Sequence, residues 1–212
     1  MRFFFHLLYH SFAFTYDLVA AIVSFGGWND WVLSILPFIT GTRILELGHG
    51  PGHLQRFLLD LKLDPVAIDE SAQMGTLAKR RLGNTHTVLR SAQGKLARAL
   101  AQKIPFVSES FDSILSTFPT EYIFDMQTLS EAQRVLRNRG RLIVLLAAWP
   151  KNPLLAWLFK VTGESPSETL DSIKSKIKAS LAHTKFIFEV QIVEVKSSSL
   201  LIVIARKEES KC

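Results

Sequence analysis

The stretch ILELGHGPGH, Ile44 to His53, decides how the rest of the chain is read. An apolar run carrying one carboxylate, Glu46, gives way to three glycines at alternate positions, Gly48, Gly50 and Gly52. Leu54, Phe57, Leu58 and Leu61 then recur at helical spacing. Strand, glycine turn and helix in that order form the first unit of a parallel α/β sheet, whose ligand crevice lies beyond the carboxyl ends of the strands. A dinucleotide fingerprint would need glycine where His53 stands, and a phosphate loop would need Lys followed by Ser or Thr. The loop has neither, so its backbone is suited to the close approach of a ligand that brings no diphosphate.

Working outward, the same alternation continues to residue 146. Val66 to Ile68 predicts a short buried strand, and Ser71 opens a helix with Met74, Leu77, Ala78 and Leu82 on one face. Thr87 to Leu89 predicts a third strand and Phe111 to Leu115 a fourth, introduced by the turn Ser108-Glu109-Ser110. Thr128-Leu129-Ser130-Glu131 has the form of a capping box, with Asn138-Arg139-Gly140 as the stop of that helix. Arg141 to Leu146, almost wholly apolar, predicts a fifth strand buried on both faces. Residues 149–184 break the rhythm with an apolar helix, Leu154 to Val161, and a second capping box at Ser165 to Glu168. Lys185 to Val195 and Ser199 to Arg206 predict two antiparallel strands joined by a tight turn. The expectation is one domain over 1–212: a doubly wound, seven-stranded, mostly parallel sheet with the last strand antiparallel. Residues 1–40 form an N-terminal helical cover, 43–146 the ligand-binding core, 149–184 a helical insertion and 185–206 the final strand pair.

Charge narrows the partners. Lys plus Arg exceed Asp plus Glu to give a net charge of +6, but the basic clusters Lys79-Arg80-Arg81, Arg134 to Arg141 and Lys174 to Lys178 fall at helical spacing or at helix ends. They predict solvated faces and helix-dipole partners and no nucleic-acid footprint. The single cysteine is Cys212, which leaves no internal disulfide or thiolate metal cluster and fits a cytoplasmic setting. In the apolar N-terminus the charge-free runs Phe3 to Tyr16 and Leu18 to Asn29 are 14 and 12 residues long, short of the ~18 to 20 of a spanning helix. They predict helices that pack on the domain or touch the inner face of a membrane weakly.

The second clue to the ligand is Asp69, which closes Val66-Ala67-Ile68-Asp69 and lies 19 residues after Gly50. A carboxylate at the end of the second strand is placed to accept hydrogen bonds from ribose hydroxyls. A nucleoside without a diphosphate describes S-adenosylmethionine. Taken in order, ILELGHGPGHL, VAIDESAQM, IPFVSESFDSILSTF and LSEAQRVLRNRGRLIVL resemble the class I S-adenosylmethionine-dependent methyltransferases, in particular the small-molecule branch related to the quinone-biosynthesis enzymes. The resemblance implies that Glu46, Gly48, Gly50 and Gly52 line the methionine moiety, that Asp69 takes the ribose, that Met74 covers an adenine face, and that Ser116, Thr117 and Phe118 border the methyl group. Where the family carries an acidic residue followed by Ala after the third strand, this chain offers Ala92 and Gln93, and its path from Gly94 to Lys103 is longer than usual.

The resemblance implies methyl transfer to a small acceptor, which the charge-poor, aromatic segments around the pocket suggest is apolar. A non-catalytic cofactor-binding protein of the same fold and a nucleotide-dependent oxidoreductase are the rival readings. Methyl transfer from a sulfonium is a displacement driven largely by alignment, so a base is optional. If one is used, Tyr16, Asp17, Glu121 and Tyr122 are the candidates. His49 and His53 are four apart, but Gly50-Pro51-Gly52 between them excludes a regular helix, so no metal site is expected.

Overall fold

The computed structural model describes residues 27–83, 95–151, 174–175, 177–182, 184–196 and 198–208. Within them the chain forms α1 (Trp28–Leu33), β1 (Arg43–Leu47), α2 (His53–Asp60), β2 (Asp64–Asp69), α3 (Ala72–Gly83), β3 (Leu96–Arg98), β4 (Phe111–Thr117), α4 (Met126–Val135), β5 (Leu136–Pro150), β6 (Phe186–Glu194) and β7 (Ser198–Lys207). Most of the N-terminal cover, including Tyr16 and Asp17, lies outside the described residues. So do Thr87 to Leu89, Ala92, Gln93, the helix expected at Leu154 to Val161 and the capping box at Ser165 to Glu168.

Seven strands among the described residues form one sheet in the order β3-β2-β1-β4-β5-β7-β6. Neighbours from β3 to β5 pair in parallel, while β7 pairs antiparallel with both β5 and β6, so β7 alone runs against the others. Strand order reverses between β1 and β4, which puts the crevice of a doubly wound sheet at their carboxyl ends. The period of two in β1 assigns its side chains to opposite layers. Leu45 and Leu47 join the core that α4 closes with Leu129, Ala132 and Val135. Ile44 joins the core that α1 and α2 close with Trp31, Val32, Leu54 and Leu58. Glu46 shares the Ile44 side of the strand, so a carboxylate is carried inside the second core.

Three local expectations are corrected. The strand that pairs with β2 is Leu96–Arg98, in register with Ala67 to Asp69, and not Thr87 to Leu89. The start of α4 is capped by Asp125, whose carboxylate accepts from the Gln127 amide at 2.8 Å, one turn before the expected Thr128. Thr128 is fully buried inside the helix with its hydroxyl unpartnered, and Glu131 turns to Arg134 and the Ile104 amide. A carboxylate acceptor at the right place displaces a hydroxyl as the cap. Finally, α4 ends at Val135, and Asn138-Arg139-Gly140 shape a bulge within β5 and do not stop a helix. Phe111 faces Leu136 while Ser113 faces Arg141, so residues 137–140 loop out of register. Arg139 supplies a left-handed turn at φ +63°, and a β-carbon on Gly140 would come within 2.8 Å of the Arg137 carbonyl.

Candidate functional site

The loop between β1 and α2 is built on hydrogen bonds to the end of β2. The Gly48 amide donates to the Ile68 carbonyl at 2.9 Å, and the Gly50 amide donates to Asp69 Oδ2 at 2.9 Å. The other carboxylate oxygen of Asp69 accepts from the Ser71 amide at 2.8 Å, so this residue pins two loops together. A carboxylate has roughly four lone-pair sites, so each oxygen keeps acceptor capacity for a ligand hydroxyl. Ser71 also caps α3, its hydroxyl accepting from the Met74 amide at 3.3 Å.

The three loop glycines all have positive φ but serve different neighbours. A β-carbon on Gly48 would meet the Tyr122 hydroxyl oxygen at 2.6 Å, and one on Gly52 would meet the Ala78 β-carbon of α3 at 3.0 Å. A β-carbon on Gly50 would meet nothing within 4 Å. Of the three, Gly50 alone faces open space, and it does so beside Asp69. The adjoining cleft, about 190 Å³, is lined by His49, Asp69, Ser71, Gly75, Thr76 and Arg98, among others.

Glu46 lies beneath this loop, 1% exposed, with its Oε2 accepting from the Gln55 amide nitrogen of α2 at 2.7 Å. Burial pushes its carboxyl up to about 8, the Gln55 hydrogen bond opposes that shift and the like charge of Asp69 adds to it. His49, 4% exposed, puts Nδ1 2.6 Å from the Gly50 carbonyl, so that nitrogen carries the proton. Burial lowers the His49 pKa against the pull of Asp69, which favours the neutral ring.

At the end of β4, the buried Ser116 hydroxyl donates to the Leu47 carbonyl at 2.9 Å, and the Tyr122 hydroxyl donates to the same carbonyl at 3.2 Å. Tyr122 is thereby held over Gly48 as a donor, which suits positioning and not proton abstraction. Glu121 is exposed on the short helix Glu121–Phe124. Thr117 is half-buried, and Phe118 takes φ +49°, an uncommon conformation for a bulky residue, with its amide bonded to the Leu145 carbonyl at 2.7 Å. Its ring stacks on Trp28 with centroids 5.1 Å apart and tilts against Trp31 at 5.9 Å.

The structure therefore brings Glu46, Gly48, Gly50, Asp69, Ser116 and Tyr122 together around the ends of β1, β2 and β4. Gly52 serves helix packing. Met74 is fully buried and presents no surface to the cleft. With β3 at Leu96–Arg98, the residues that follow the third strand are Ala99 to Gln102, and the Ala99 amide donates to the Asp69 carbonyl at 3.2 Å. The dipeptide Ala-Gln occurs at 72–73, 92–93, 101–102 and 132–133, and the copy at 101–102 follows the observed strand. The signal was available in the long path from Gly94 to Lys103, which has room for a strand. Gln55, which the sequence reading did not single out, is the partner of Glu46, the one buried carboxylate among the described residues; its amide nine residues beyond Glu46 was the cue.

Comparison with known proteins places the chain beside methyltransferases. Residues 45–144 match the family described as "Methyltransferase domain". The demethylmenaquinone methyltransferase of Thermotoga maritima is 30% identical over 144 residues, which are 65% of this chain and 59% of that protein. The malonyl-[acyl-carrier protein] O-methyltransferase of Enterobacter lignolyticus is 29% identical over 72% of this chain and 61% of its own length. In fold, the crystal structure of a SAM-dependent methyltransferase from Methanosarcina mazei superposes with TM-score 0.57 at 18% identity, covering 83% of this chain and 98% of that one. These likenesses support reading the chain as a class I small-molecule methyltransferase. The chain spans about three fifths of the length of these two curated relatives.

Proposed function

We propose that the chain is an S-adenosylmethionine-dependent methyltransferase acting on a small, apolar acceptor. The observation that carries the reading is Gly50, where a β-carbon would meet nothing within 4 Å and whose amide is bonded to Asp69, a residue that lines the adjoining cleft. A backbone without a side chain beside a carboxylate with spare acceptor capacity fits a nucleoside with a ribose diol. When bound, the cofactor supplies an electrophilic methyl group on a sulfonium. The chain's own residues then do three things. Asp69 accepts from the ribose hydroxyls, and Gly50 leaves room for close approach. Ser116 and Tyr122 hold the Leu47 carbonyl and so fix the end of β1 against the end of β4. The Phe118, Trp28 and Trp31 cluster borders the same end and supports an apolar acceptor by excluding water and restricting orientation. The relatives' names point to different acceptors, a demethylmenaquinone in one and a malonyl-carrier protein in the other, and the aromatic cluster favours the apolar one.

The test is ligand-induced stabilisation. S-adenosylmethionine and S-adenosylhomocysteine should raise the melting temperature, by an amount that follows the mass-action relation, about 2.7 kcal/mol at a hundredfold excess over Kd. NAD and ATP should leave it unchanged. No shift at millimolar cofactor overturns the proposal.

A further inference from the structure

The cleft beside Asp69 extends between α3 and β3, lined by Ala72, Gly75, Thr76 and Lys79 on one side and Leu96, Ala97 and Arg98 on the other. A β-carbon on Gly75 would meet nothing within 4 Å, so the helix wall is hollow there. Lys79 lies roughly 12 Å along α3 from the Ser71 cap, farther than a ribose held at Asp69 reaches. Among the described residues that line the cleft, Asp69 is the one acid. The segment Lys95 to Lys103, KLARALAQK, which forms β3 and the loop after it, carries no acidic residue, and the Glu70 side chain is exposed and outside the lining. Arg98 is the register partner of Asp69, and its Nε donates to the Glu70 carbonyl at 2.9 Å. That bond holds the guanidinium across the end of β2 without using the N–H groups of its Nη atoms, and a guanidinium has donors alone to offer.

We propose that Arg98 reads the base of the nucleoside that Asp69 holds, through acceptor atoms on the ring edge and not through an exocyclic amino group, so that the site accepts hypoxanthine in place of adenine. The inference rests on the cofactor reading and adds to it the base specificity of the site. From a ribose at Asp69, a flat purine enters the slot between the small residues of α3 and the apolar pair Leu96 and Ala97, with its edge toward Arg98. A guanidinium attracts a ring nitrogen or a keto oxygen and repels the positive end of an amino group. An amino group at the purine 6-position gains no carboxylate here, because the carboxylate of Asp69 serves the Gly50 and Ser71 amides and the ribose. A keto oxygen at the same position gains a charge-assisted hydrogen bond. Lys79, across the slot, adds charge of the same sign as Arg98.

Calorimetric titration of the full chain with S-adenosylhomocysteine and with S-inosylhomocysteine, its 6-keto analogue, measures the preference directly. The inosyl ligand should bind as tightly as the adenosyl one or within about fivefold of it, whereas a site that hydrogen-bonds the amino group separates them by about tenfold or more. Arg98→Ala should weaken the inosyl ligand by about tenfold and the adenosyl ligand less. Arg98→Glu, which sets a carboxylate at the same place, should turn the preference to the adenosyl ligand by about tenfold. A preference of the native chain for the adenosyl ligand beyond about fivefold overturns the proposal even if the variants do not fold. Equal losses for both ligands in a folded Arg98→Ala overturn it as well, since they mark a residue that shapes the cleft without reading the base. Failure of both ligands to bind removes the cofactor site itself, and the base reading with it.

Discussion

At the scale of single residues, the two carboxylates near the glycine loop are opposites. Asp69 is half-buried and accepts one backbone donor on each oxygen, which makes it part of the loop architecture as well as a proposed ligand group. Asp69→Ala should therefore lose cofactor affinity, on the order of 1.5 to 3 kcal/mol for a hydrogen bond to a charged group, and also stability, because the Gly50 and Ser71 amides lose their acceptors. Asp69→Asn keeps one acceptor oxygen and should recover part of the stability and little of the affinity. Parallel denaturation and binding measurements separate the effects; an Ala variant of unchanged affinity would put the ribose elsewhere. Glu46 is poorly solvated, and its titration should be visible in stability. Its folded value of about 8 lies above the ordinary 4.5, so between those pH values the folded chain keeps a proton that the unfolded chain has lost. Stability from this group is present in full below 4.5 and is lost as pH rises to 8, by up to about 1.4 kcal/mol per pH unit. Glu46→Gln removes the titration while keeping an amide partner for Gln55. Its stability relative to the parent should grow steadily from pH 5 to 8, and a difference that is flat with pH would show that burial does not hold the proton.

At the scale of elements, the structure tests which short-range signals win. Two acidic or hydroxylic residues compete to start α4, and Asp125 prevails because its carboxylate is placed to meet the Gln127 amide. Asp125→Ala should cost about 1 kcal/mol in chemical denaturation. Thr128→Val should be neutral or stabilising, since it replaces a buried hydroxyl that has no partner with a methyl of the same shape. The reverse order of effects would restore the capping box. Most elements were legible for a plain reason: β1, β2, β4 and β7 are buried strands with near-continuous apolar runs, and α2 and α3 carry a clean helical face behind a glycine or a serine. What was not legible was β3. Three residues, Leu96–Arg98, at the sheet edge need no long apolar run, and β-branched Thr87 and Val88 gave the stronger local signal. Ala92 and Gln93, expected on the adenine side, lie outside the described residues, and the loop after the observed strand begins at Ala99. The glycine loop was read correctly as a pattern, but only coordinates separate Gly50, which faces open space, from Gly48 and Gly52, which face Tyr122 and Ala78.

At the scale of the whole molecule, topology was legible because a single reversal accounts for it. Strands alternating with helices predict a parallel sheet, a tight turn between the last two strands forces one of them antiparallel, and the crevice follows at the β1 and β4 ends. What the molecule does beyond this crevice is a matter of its surface and its N-terminus. No helix among the described residues is long and apolar enough to cross a membrane. The sequence before β1 is nevertheless rich in Phe, Trp and Leu, and the chain carries a net charge of +6. At the near edge of that segment, Trp31 is already buried against Leu54 and Leu58 of α2, so self-packing and membrane contact compete for the same apolar surface. We expect the second to be weak and electrostatically assisted, because basic residues near an anionic surface add about 1 kcal/mol each and salt screens them within a Debye length. Co-sedimentation with vesicles should then rise with their anionic lipid content and fall as salt is raised from low to physiological strength. An apolar acceptor dissolved in the bilayer would be reached most directly from such a surface, so turnover of a lipid-embedded acceptor should follow the same salt dependence as binding. Protein that stays in the supernatant with anionic vesicles at low salt would show instead that the N-terminal segment is spent on its own domain, and that the acceptor must arrive through solvent.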